Sequence, residues 1–293
     1  MSWILSNSLT FFQKFCINVL KCGPIPQHVA FIMDGNRRYA KQQQIDKQTA
    51  HSRGFDKLAE TLQWCLELGI REVTMYAFSI ENFKRSPEEV DALMNLAREK
   101  YARLMEEKDK LMAEGVRISV IGNLDLLPQD IRKSIAEAMI MTRNNNRLFL
   151  NVAMAYTARD EITTAIKEIT NGVNVGVLDS EDIDEELLNH CLYTNRGHKI
   201  DVIIRTSGET RLSDFLLWQA GFVNIFTTNV LWPSFSIWQL LGMIFKYQRN
   251  YYELKNITDQ IKVKELSIKK EIFLDKLVLY RMAILEQYTT VCS

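Results

Sequence analysis

The sequence lacks an excess of either charge, because 36 lysines and arginines balance 36 aspartates and glutamates among its 293 residues. No overall field therefore draws the chain to nucleic acid or to an anionic membrane, and any anion site must be local. Cysteine is scarce as well: the five residues are scattered, and none forms the C-x-x-C spacing of a zinc or redox site. We therefore expect reduced thiols in a cytosolic environment.

Long apolar runs are also missing. No stretch approaches the roughly 18 apolar residues of a membrane-spanning helix. The N-terminus lacks the basic flank and clean apolar core of a signal peptide, so we expect the chain neither to span a membrane nor to enter the secretory lumen. The composition, 47% hydrophobic and 25% charged, excludes the disordered and fibrous classes and suits one large domain.

Residues 1–22 are predicted to form an amphipathic N-terminal helix, because most apolar side chains of residues 3–20 lie near one helical face. Two interpretations stay open. The apolar face packs on the domain's own core, or it lies in a membrane interface with Trp3, Phe11 and Phe12 as anchors.

From residue 28 onward, short β-branched runs alternate with helical patterns, which is typical of an α/β fold with a mostly parallel sheet. Six strands are predicted, at Val29–Met33, Val73–Phe78, Val116–Ile121, Leu148–Ala153, Asp201–Arg205 and Val223–Phe226. Residues 23–240 are expected to form the catalytic domain, and residues 241–293 a helical C-terminal extension.

Helices are predicted between these strands from apolar spacing and flanking breakers. One carries the stripe from Phe55 to Leu66 and stops at Gly69, and another opens with a capping box from Ser86 to Glu89. Further helices are expected at Pro128–Asn144, Ala158–Thr170, Asp182–Cys191, Ser213–Ala220 and Ile237–Tyr252.

Polar residues follow the first strand, in the segment Met33–Lys41, which reads MDGNRRYAK. If Asn36 caps the next helix, its first-turn N–H groups make an anion site beside Arg37 and Arg38. Asp34 would repel that anion unless a cation lies between them, which suggests Mg²⁺ bridging to a phosphate. A plain turn with solvated arginines would explain this segment equally well if it stood alone.

Polar residues at two further strand ends favour the anion-site interpretation over a plain turn. The segment 201–213 brings arginines, hydroxyls, a glycine and a carboxylate to one strand end, with Ser213 predicted at a helix start, and Ser79–Arg85 brings another set. Because ligands bind at the carboxyl ends of parallel strands, these groups together predict a polyanionic ligand such as a diphosphate.

These segments resemble the signature blocks of the cis-prenyltransferase family. The matching stretches are MDGNRRYAK (33–41), AFSIENFKR (77–85), DVIIRTSGETRLSDFLLWQ (201–219) and VLWP (230–233). They are most similar to the eukaryotic dehydrodolichyl diphosphate synthase branch, in order over roughly residues 3 to 240. The resemblance implies a six-stranded sheet ringed by helices around a hydrophobic tunnel. It also implies Mg²⁺-dependent addition of isopentenyl diphosphate to an allylic primer, expected to be farnesyl diphosphate, to make a long polyprenyl diphosphate for dolichol synthesis and protein glycosylation.

The resemblance also implies roles for individual residues. Asp34 would coordinate Mg²⁺ on the allylic diphosphate and, with His51 and Asn82, would form the catalytic set. Substrate-binding positions would be Gly35, Asn36, Arg37 and Arg38 at the allylic diphosphate, Ser79 and Arg85 beside the reacting groups, and Arg205, Glu209, Arg211 and Ser213 at isopentenyl diphosphate. An amide is not a strong base, so the proton acceptor would be a diphosphate or a water held near Asn82.

Three positions depart from the family pattern. Position 47 is Lys where the family commonly has Arg, which keeps the charge but gives up forked donation. The other two point to a partner, because position 224 is Asn where homodimeric bacterial relatives have Glu, and the C-terminus lacks their Arg-x-Gly motif. We therefore expect a non-identical subunit of the Nogo-B-receptor type to supply an Arg-x-Gly terminus. The expected location is the cytosolic face of the endoplasmic reticulum membrane, as a peripheral protein.

Two other functions are weighed against this one. The same fold serves as a non-catalytic partner in the family, although such a subunit would be expected to lose several of the residues named above. A phosphohydrolase would also pair Asp with Mg²⁺, yet position 36 is Asn rather than a second carboxylate.

Overall fold

Six parallel strands form one sheet in the computed structural model, which describes residues 9–195, 197–260 and 266–290. The strands are β1 (His28–Ile32), β2 (Glu72–Ser79), β3 (Val116–Ile121), β4 (Leu148–Tyr156), β5 (Val202–Arg205) and β6 (Asn224–Thr227). Their order is β3-β4-β2-β1-β5-β6, and every pairing is parallel. The predicted strands and the α/β class are confirmed, and all carboxyl ends lie along one edge.

Helices cover both faces of the sheet, so the central strands are buried continuously rather than alternately. β1 and β5 are buried over their whole length, as expected for parallel strands between two helical layers. The helices are α1 (Phe11–Leu20), α2 (Asn36–Gln43), α3 (Lys47–Leu68), α4 (Pro87–Glu106), α5 (Lys108–Ala113), α6 (Gln129–Thr142), α7 (Ala158–Asn174), α8 (Glu185–Cys191), α9 (Ile237–Asp259) and α10 (Ile268–Thr290).

The ends of α3 and α4 follow local sequence rules. α3 stops at Gly69, whose φ of 85° is a left-handed conformation that glycine adopts without strain. Ser86 caps α4 as predicted, because its side chain accepts a hydrogen bond from the Glu89 N–H. The Glu89 carboxylate, however, turns to Arg85 at 2.7 Å, so the predicted capping box is only half formed.

The N-terminal helix is shorter than predicted within the described residues. It begins at Phe11, after a cap by Thr10, and residues 1–8, including Trp3, lie outside the described residues. Ile17 is buried against the core, whereas Phe11, Phe12 and Phe15 are exposed. The packing interpretation is thus confirmed for one face, and the other face displays aromatic side chains. Among the described helices, none is both long and apolar enough to cross a membrane.

The helix predicted at Ser213–Ala220 is wrong. Ser213, Asp214 and Leu216 have φ values of 52°, 60° and 49°, and the chain forms successive turns there. The apolar spacing arises because Phe215 and Leu216 are fully buried against the sheet, with the Phe215 ring stacked on Tyr76 at 4.5 Å. Ser213 therefore lies in a turn rather than at a helix start.

Two other boundaries differ from the predictions. α8 begins at Glu185 rather than at residue 182, because the Asp184 side chain caps it by accepting from the Leu187 N–H. The domain boundary drawn at residue 240 falls inside α9, which runs without a break from Ile237 to Asp259.

Candidate active site

A cavity of about 1280 Å³ opens at the carboxyl edge of the sheet. Its rim is polar and contains all thirteen residues predicted for the site: Asp34, Gly35, Asn36, Arg37, Arg38, His51, Ser79, Asn82, Arg85, Arg205, Glu209, Arg211 and Ser213. Its interior is mostly apolar and lies between α3, α4 and the sheet, lined by residues such as Phe55, Leu58, Met75, Leu93 and Met154. The cavity therefore joins a cationic mouth to a hydrophobic chamber.

Asp34 follows β1 and is held at the rim by its own backbone. Its N–H donates to the Thr206 hydroxyl at 3.0 Å, and that hydroxyl donates back to the Asp34 carbonyl at 2.7 Å. The backbone N–H of Trp232 donates to the same carbonyl at 3.0 Å, so the VLWP segment (230–233) helps to hold Asp34 in place. Thr206 has no role in the sequence prediction, because its contribution depends on a contact between separate strand ends.

The Asp34 carboxylate lies between two guanidinium groups. Arg205 Nη2 donates to its Oδ2 at 2.9 Å, and Arg38 Nη2 is 3.8 Å from the same oxygen. Burial alone would raise the pKa of Asp34, but the Arg205 hydrogen bond and charge, with help from the Gly35 N–H and Arg38, hold it below its ordinary value. Asp34 is therefore ionised at neutral pH.

The cap of α2 is Gly35 rather than Asn36, which corrects the prediction. Gly35 has a φ of 109°, a conformation strained for other residues, and an added Cβ would meet Leu231 at 2.9 Å. Asn36 is the first helical residue, and its buried Oδ1 finds no hydrogen-bond partner within the part of the chain that the structure describes. The N-terminus of α2 still opens beside Asp34, so its free N–H groups face the same rim.

Arg205 connects the two predicted substrate sites. It is almost fully buried and donates from Nη1 to the Ser213 hydroxyl at 2.6 Å and to the Arg211 carbonyl. Its other terminal nitrogen binds Asp34, and its buried Nε has no partner. Three of its five N–H donors are thus used, so Arg205 is a fixed part of the scaffold, with one further N–H on Nη2.

The turn after β2 places Ser79, Asn82 and Arg85 at the rim. The Asn82 side-chain oxygen accepts from the Ser79 N–H at 3.0 Å, and the Ser79 hydroxyl accepts from the Glu81 N–H at 3.2 Å. Asn82 therefore shapes this turn with its oxygen, which leaves its amide nitrogen as the group that can donate to a ligand.

Glu89, on the first turn of α4, organises the cations of the rim. Its carboxylate lies 2.7 Å from Arg85, 3.4 Å from Lys47 and 3.8 Å from Arg37, and its side chain is only 13% exposed. Its pKa is lowered because the neighbouring cations outweigh the effect of burial. The sequence prediction gave Glu89 only a capping role, since the capping pattern accounted for its position.

His51 lies on α3 and lines the same rim. Burial first, and then the charges of Arg85, Arg37 and Lys47, lower its pKa below the ordinary value in spite of Glu89. The imidazole is therefore neutral at pH 7, and its buried Nε2 has no hydrogen-bond partner among the described residues.

Arg211 and Glu209 lie on the exposed side of the mouth. Arg211 is 73% exposed, and its Nε is 3.5 Å from a Glu209 oxygen. Arg159, which was not predicted, lines the rim nearby and pairs with Asp214 at 2.7 Å. No sequence pattern links Arg159 to Asp214, because the two residues approach each other only when the turn at 213–216 meets the start of α7.

The described residues contain no group of three or more acidic, histidine or cysteine side chains able to hold a metal ion by themselves. Mg²⁺ is commonly bound by one or two carboxylates, with the rest of its shell taken from substrate phosphates and water. Among the carboxylates of the rim, Asp34 lies beside the N-terminus of α2 and between Arg205 and Arg38. Asp34 is therefore the residue that would fit a Mg²⁺ ion shared with a phosphate at this rim.

Asn224 lies away from this cavity. It is the first residue of β6, at the edge of the sheet opposite the rim, where its oxygen accepts from the Asn250 amide at 3.3 Å. An acidic side chain at position 224 would therefore not complete this chain's own rim.

Comparison with known proteins agrees with this geometry. Residues 32–254 match the prenyltransferase family model described as "Putative undecaprenyl diphosphate synthase". The chain is 56% identical over 259 residues to a dehydrodolichyl diphosphate synthase complex subunit from Homo sapiens, covering 88% of this chain and 78% of the human one. It is 45% identical over 238 residues to a tritrans,polycis-undecaprenyl-diphosphate synthase (geranylgeranyl-diphosphate specific) from Pyrococcus horikoshii, covering 81% and 90% of the two chains.

A solved structure shares the fold. Lavandulyl diphosphate synthase from Lavandula x intermedia, crystallised with dimethylallyl diphosphate, superposes with a TM-score of 0.72 at 32% identity, over 76% of this chain and 95% of the other. Family model, sequence relatives and fold agree. The chain belongs to the undecaprenyl diphosphate synthase family of cis-prenyltransferases.

Proposed function

We propose that this chain is a cis-prenyltransferase catalytic subunit. It would condense isopentenyl diphosphate units onto an allylic primer, expected to be farnesyl diphosphate, to make a long polyprenyl (dehydrodolichyl) diphosphate for dolichol synthesis and protein glycosylation. The observation that carries this proposal is the cavity of about 1280 Å³, in which a cationic rim leads into an apolar chamber. A diphosphate with a long hydrocarbon tail has the same division of polarity.

The allylic diphosphate would lie at the N-terminus of α2. Arg37, Arg38 and the free N–H groups after Gly35 would bind its oxygens, while neutral His51 offers one further donor or acceptor. Asp34 would hold Mg²⁺ against this diphosphate. When bound, the ion would neutralise charge that develops on the departing diphosphate.

Isopentenyl diphosphate would bind on the other side of Asp34. Arg205, Arg211 and Ser213 would donate to its diphosphate, and Glu209 would orient Arg211 by the ion pair at 3.5 Å. Because Arg205 also binds Asp34 at 2.9 Å, the two diphosphates would share one rigid bridge. Such fixed positioning of both reactants is a large part of catalysis in a two-substrate reaction.

The turn after β2 would position the reacting carbons. Ser79 and Asn82 are fixed against each other by hydrogen bonds, and Arg85 is fixed by Glu89. Apolar walls below this turn exclude water, which protects the electron-poor allylic carbon from attack by solvent.

A second, non-identical subunit of the Nogo-B-receptor type would complete the enzyme with a C-terminal Arg-x-Gly motif. The name of the human relative, a complex subunit, supports such a partner. Arg211 and Arg37 are 73% and 59% exposed, so the mouth is open on one side to a further donor. Edge strand β6 and α9 expose Ile225, Trp238 and Phe245, which suits docking of another chain.

The complex would act at the cytosolic face of the endoplasmic reticulum membrane, as a peripheral protein. The exposed aromatic face of α1, formed by Phe11, Phe12 and Phe15, supports contact with a lipid surface. Close contact would also shorten the path of an apolar product from the cavity to the bilayer.

The test is incubation of the purified chain, alone and with the partner, with radiolabelled isopentenyl diphosphate, farnesyl diphosphate and Mg²⁺. Long labelled lipid whose formation requires Mg²⁺ is the expected result, with a higher rate when the partner is present. Absence of product under every condition would indicate a silent subunit, and release of inorganic phosphate alone would indicate a phosphohydrolase.

A further inference from the structure

The turn that follows Arg211 carries a site residue on a strained backbone. Ser213 and Asp214 have φ values of 52° and 60°, in the left-handed region that residues other than glycine seldom adopt. Strain of this kind persists only where surrounding contacts hold the backbone, and it is frequent at functional sites. The contacts of Asp214 show what holds this turn.

Asp214 joins the turn to the start of α7. Its carbonyl accepts a hydrogen bond from the Ala158 N–H at 2.7 Å, and its Oδ1 accepts from the Arg159 N–H at 3.2 Å. Both N–H groups belong to the first turn of α7, where a helix has no internal acceptor for them. Asp214 therefore caps α7 from a distant part of the chain, and α7 in return fixes the backbone at residue 214.

The Asp214 side chain also makes an ion pair. Its Oδ2 accepts from Arg159 Nε at 2.7 Å, and the aspartate side chain is 12% exposed whereas that of the arginine is 75% exposed. An ion pair with such an exposed partner contributes little by itself. We therefore attribute the hold on the turn chiefly to the two N–H groups of α7 that Asp214 accepts.

Ser213, the preceding residue, has its side chain oriented by Arg205. The Ser213 hydroxyl oxygen accepts from Arg205 Nη1 at 2.6 Å, which leaves the hydroxyl hydrogen to donate to a ligand. The Ser213 carbonyl lies 3.2 Å from the Tyr76 hydroxyl, but that hydroxyl shares its hydrogen with the Tyr156 carbonyl. The backbone of Ser213 therefore depends on the clamp at Asp214 as well.

Asp214 is separate from the proposed allylic site. Among the described residues, its hydrogen bonds and its ion pair all go to the first turn of α7. The groups proposed to bind the allylic diphosphate lie instead on α2 and α3, and Glu89 on α4 pairs with the cations beside them. Loosening the turn at 213–214 should therefore affect one substrate more than the other.

We propose that Asp214 is a positioning residue for isopentenyl diphosphate. By capping α7 it holds Ser213 in the left-handed region, so that the Ser213 hydroxyl and Arg205 face the same diphosphate. This inference rests on the proposed function, in which Ser213 donates to that diphosphate. Without the carboxylate, the turn is free to leave its strained conformation and the hydroxyl is no longer directed at the ligand.

The test compares Asp214→Gly with Asp214→Asn. Glycine adopts a φ of 60° without strain, so the first variant removes the side-chain contacts and frees the backbone. Asparagine keeps an oxygen for the Arg159 N–H and tolerates the left-handed region as aspartate does. Initial rates are measured with Mg²⁺ present and with each of the two substrates varied in turn.

The expected result is a selective change in KM. Asp214→Gly should raise the KM for isopentenyl diphosphate about three- to tenfold, the effect of one weakened hydrogen bond. The KM for farnesyl diphosphate should change less than about twofold, and Asp214→Asn should stay within about twofold of wild type for both substrates.

A double variant tests whether Asp214 acts through Ser213. Ser213→Ala removes the hydroxyl, so adding Asp214→Gly to it should raise the KM for isopentenyl diphosphate by less than about twofold more. If the two changes instead multiply, Asp214 does not act through Ser213 and the inference is overturned.

The outcomes also separate this inference from the proposed function. If the wild-type protein elongates no primer, the proposed function fails and the inference falls with it. If the wild-type protein is active, and the folded glycine variant leaves the KM for isopentenyl diphosphate unchanged or raises both KM values by the same factor, this inference alone is overturned. Asp214→Ala, which also lacks the carboxylate, takes the place of the glycine variant if that protein does not fold.

Discussion

Arg205 and Arg211 belong to the same sequence motif, yet the structure predicts different consequences for their removal. Arg205 is 4% exposed and binds Asp34, Ser213 and the Arg211 carbonyl. Arg211 is 73% exposed and contacts Glu209 at 3.5 Å. Arg205→Ala should therefore damage the scaffold and both substrate sites, whereas Arg211→Ala should affect the binding of isopentenyl diphosphate only.

The magnitudes follow from the number of bonds lost. A hydrogen bond to a charged group is worth about 1.5–3 kcal/mol, so losing one to a bound diphosphate lowers kcat/KM about 10- to 100-fold. Arg211→Ala should show this loss as a raised KM for isopentenyl diphosphate. Arg205→Ala should lower kcat as well and reduce Tm by roughly 2–5 °C, because about 1–3 kcal/mol of folding free energy depends on its buried contacts.

The assay is steady-state kinetics with each substrate varied in turn, together with thermal unfolding followed by circular dichroism. Arg211→Ala should keep Tm within about 1 °C of wild type, as expected for an exposed side chain. Equal effects of the two variants on Tm and on both KM values would refute the division of roles between a scaffold arginine and a substrate arginine.

Three further predictions concern other rim residues. Asp34→Asn keeps the shape of a proposed metal ligand and removes its charge, so elongation should fall about 10²–10³-fold while circular dichroism stays native; near-normal turnover at unchanged Mg²⁺ dependence would exclude the assigned role. Glu89→Gln releases Arg37 and Arg85, so the KM for the allylic primer should rise about three- to tenfold with little change in kcat, as measured in initial-rate assays; a selective loss of kcat would argue against a positioning role. His51 has a folded-state pKa below its ordinary value of 6.5. At pH values between the folded-state pKa and 6.5, the unfolded chain therefore binds more protons than the folded chain does. The free energy of unfolding of the wild-type protein should consequently fall as pH drops below about 6.5. Urea unfolding at pH 7.5 and 5.5 should show part of this fall missing in His51→Gln, and an equal fall in both proteins would contradict the buried neutral imidazole.

Much of the fold could be predicted because the sheet is parallel and covered on both sides. Its strands read as short β-branched runs, such as Val202–Arg205, and the residues after them must meet at one edge. That rule alone predicts that Asp34, Ser79 and Arg205 lie close together. The resemblance to a family then supplied roles that the spacing of residues alone does not contain.

The errors have physical causes that a linear pattern does not reveal. The segment 213–220 has helical spacing, but the burial of Phe215 and Leu216 against the sheet overrides it, with left-handed backbone at Ser213 and Asp214. Glu89 fits a capping box, yet three cations from other elements draw its carboxylate away. Both outcomes depend on tertiary contacts that compete with a local preference.

A crystal structure of the chain with its partner, Mg²⁺, isopentenyl diphosphate and a non-reactive thiodiphosphate analogue of farnesyl diphosphate would test the central claim most directly. The account predicts that one diphosphate lies between Asp34 and the N-terminus of α2, that the other contacts Arg205 and Arg211, and that the prenyl tail runs along α4 into the apolar chamber. Diphosphates bound elsewhere, or a tail outside the cavity between α3 and α4, would contradict it.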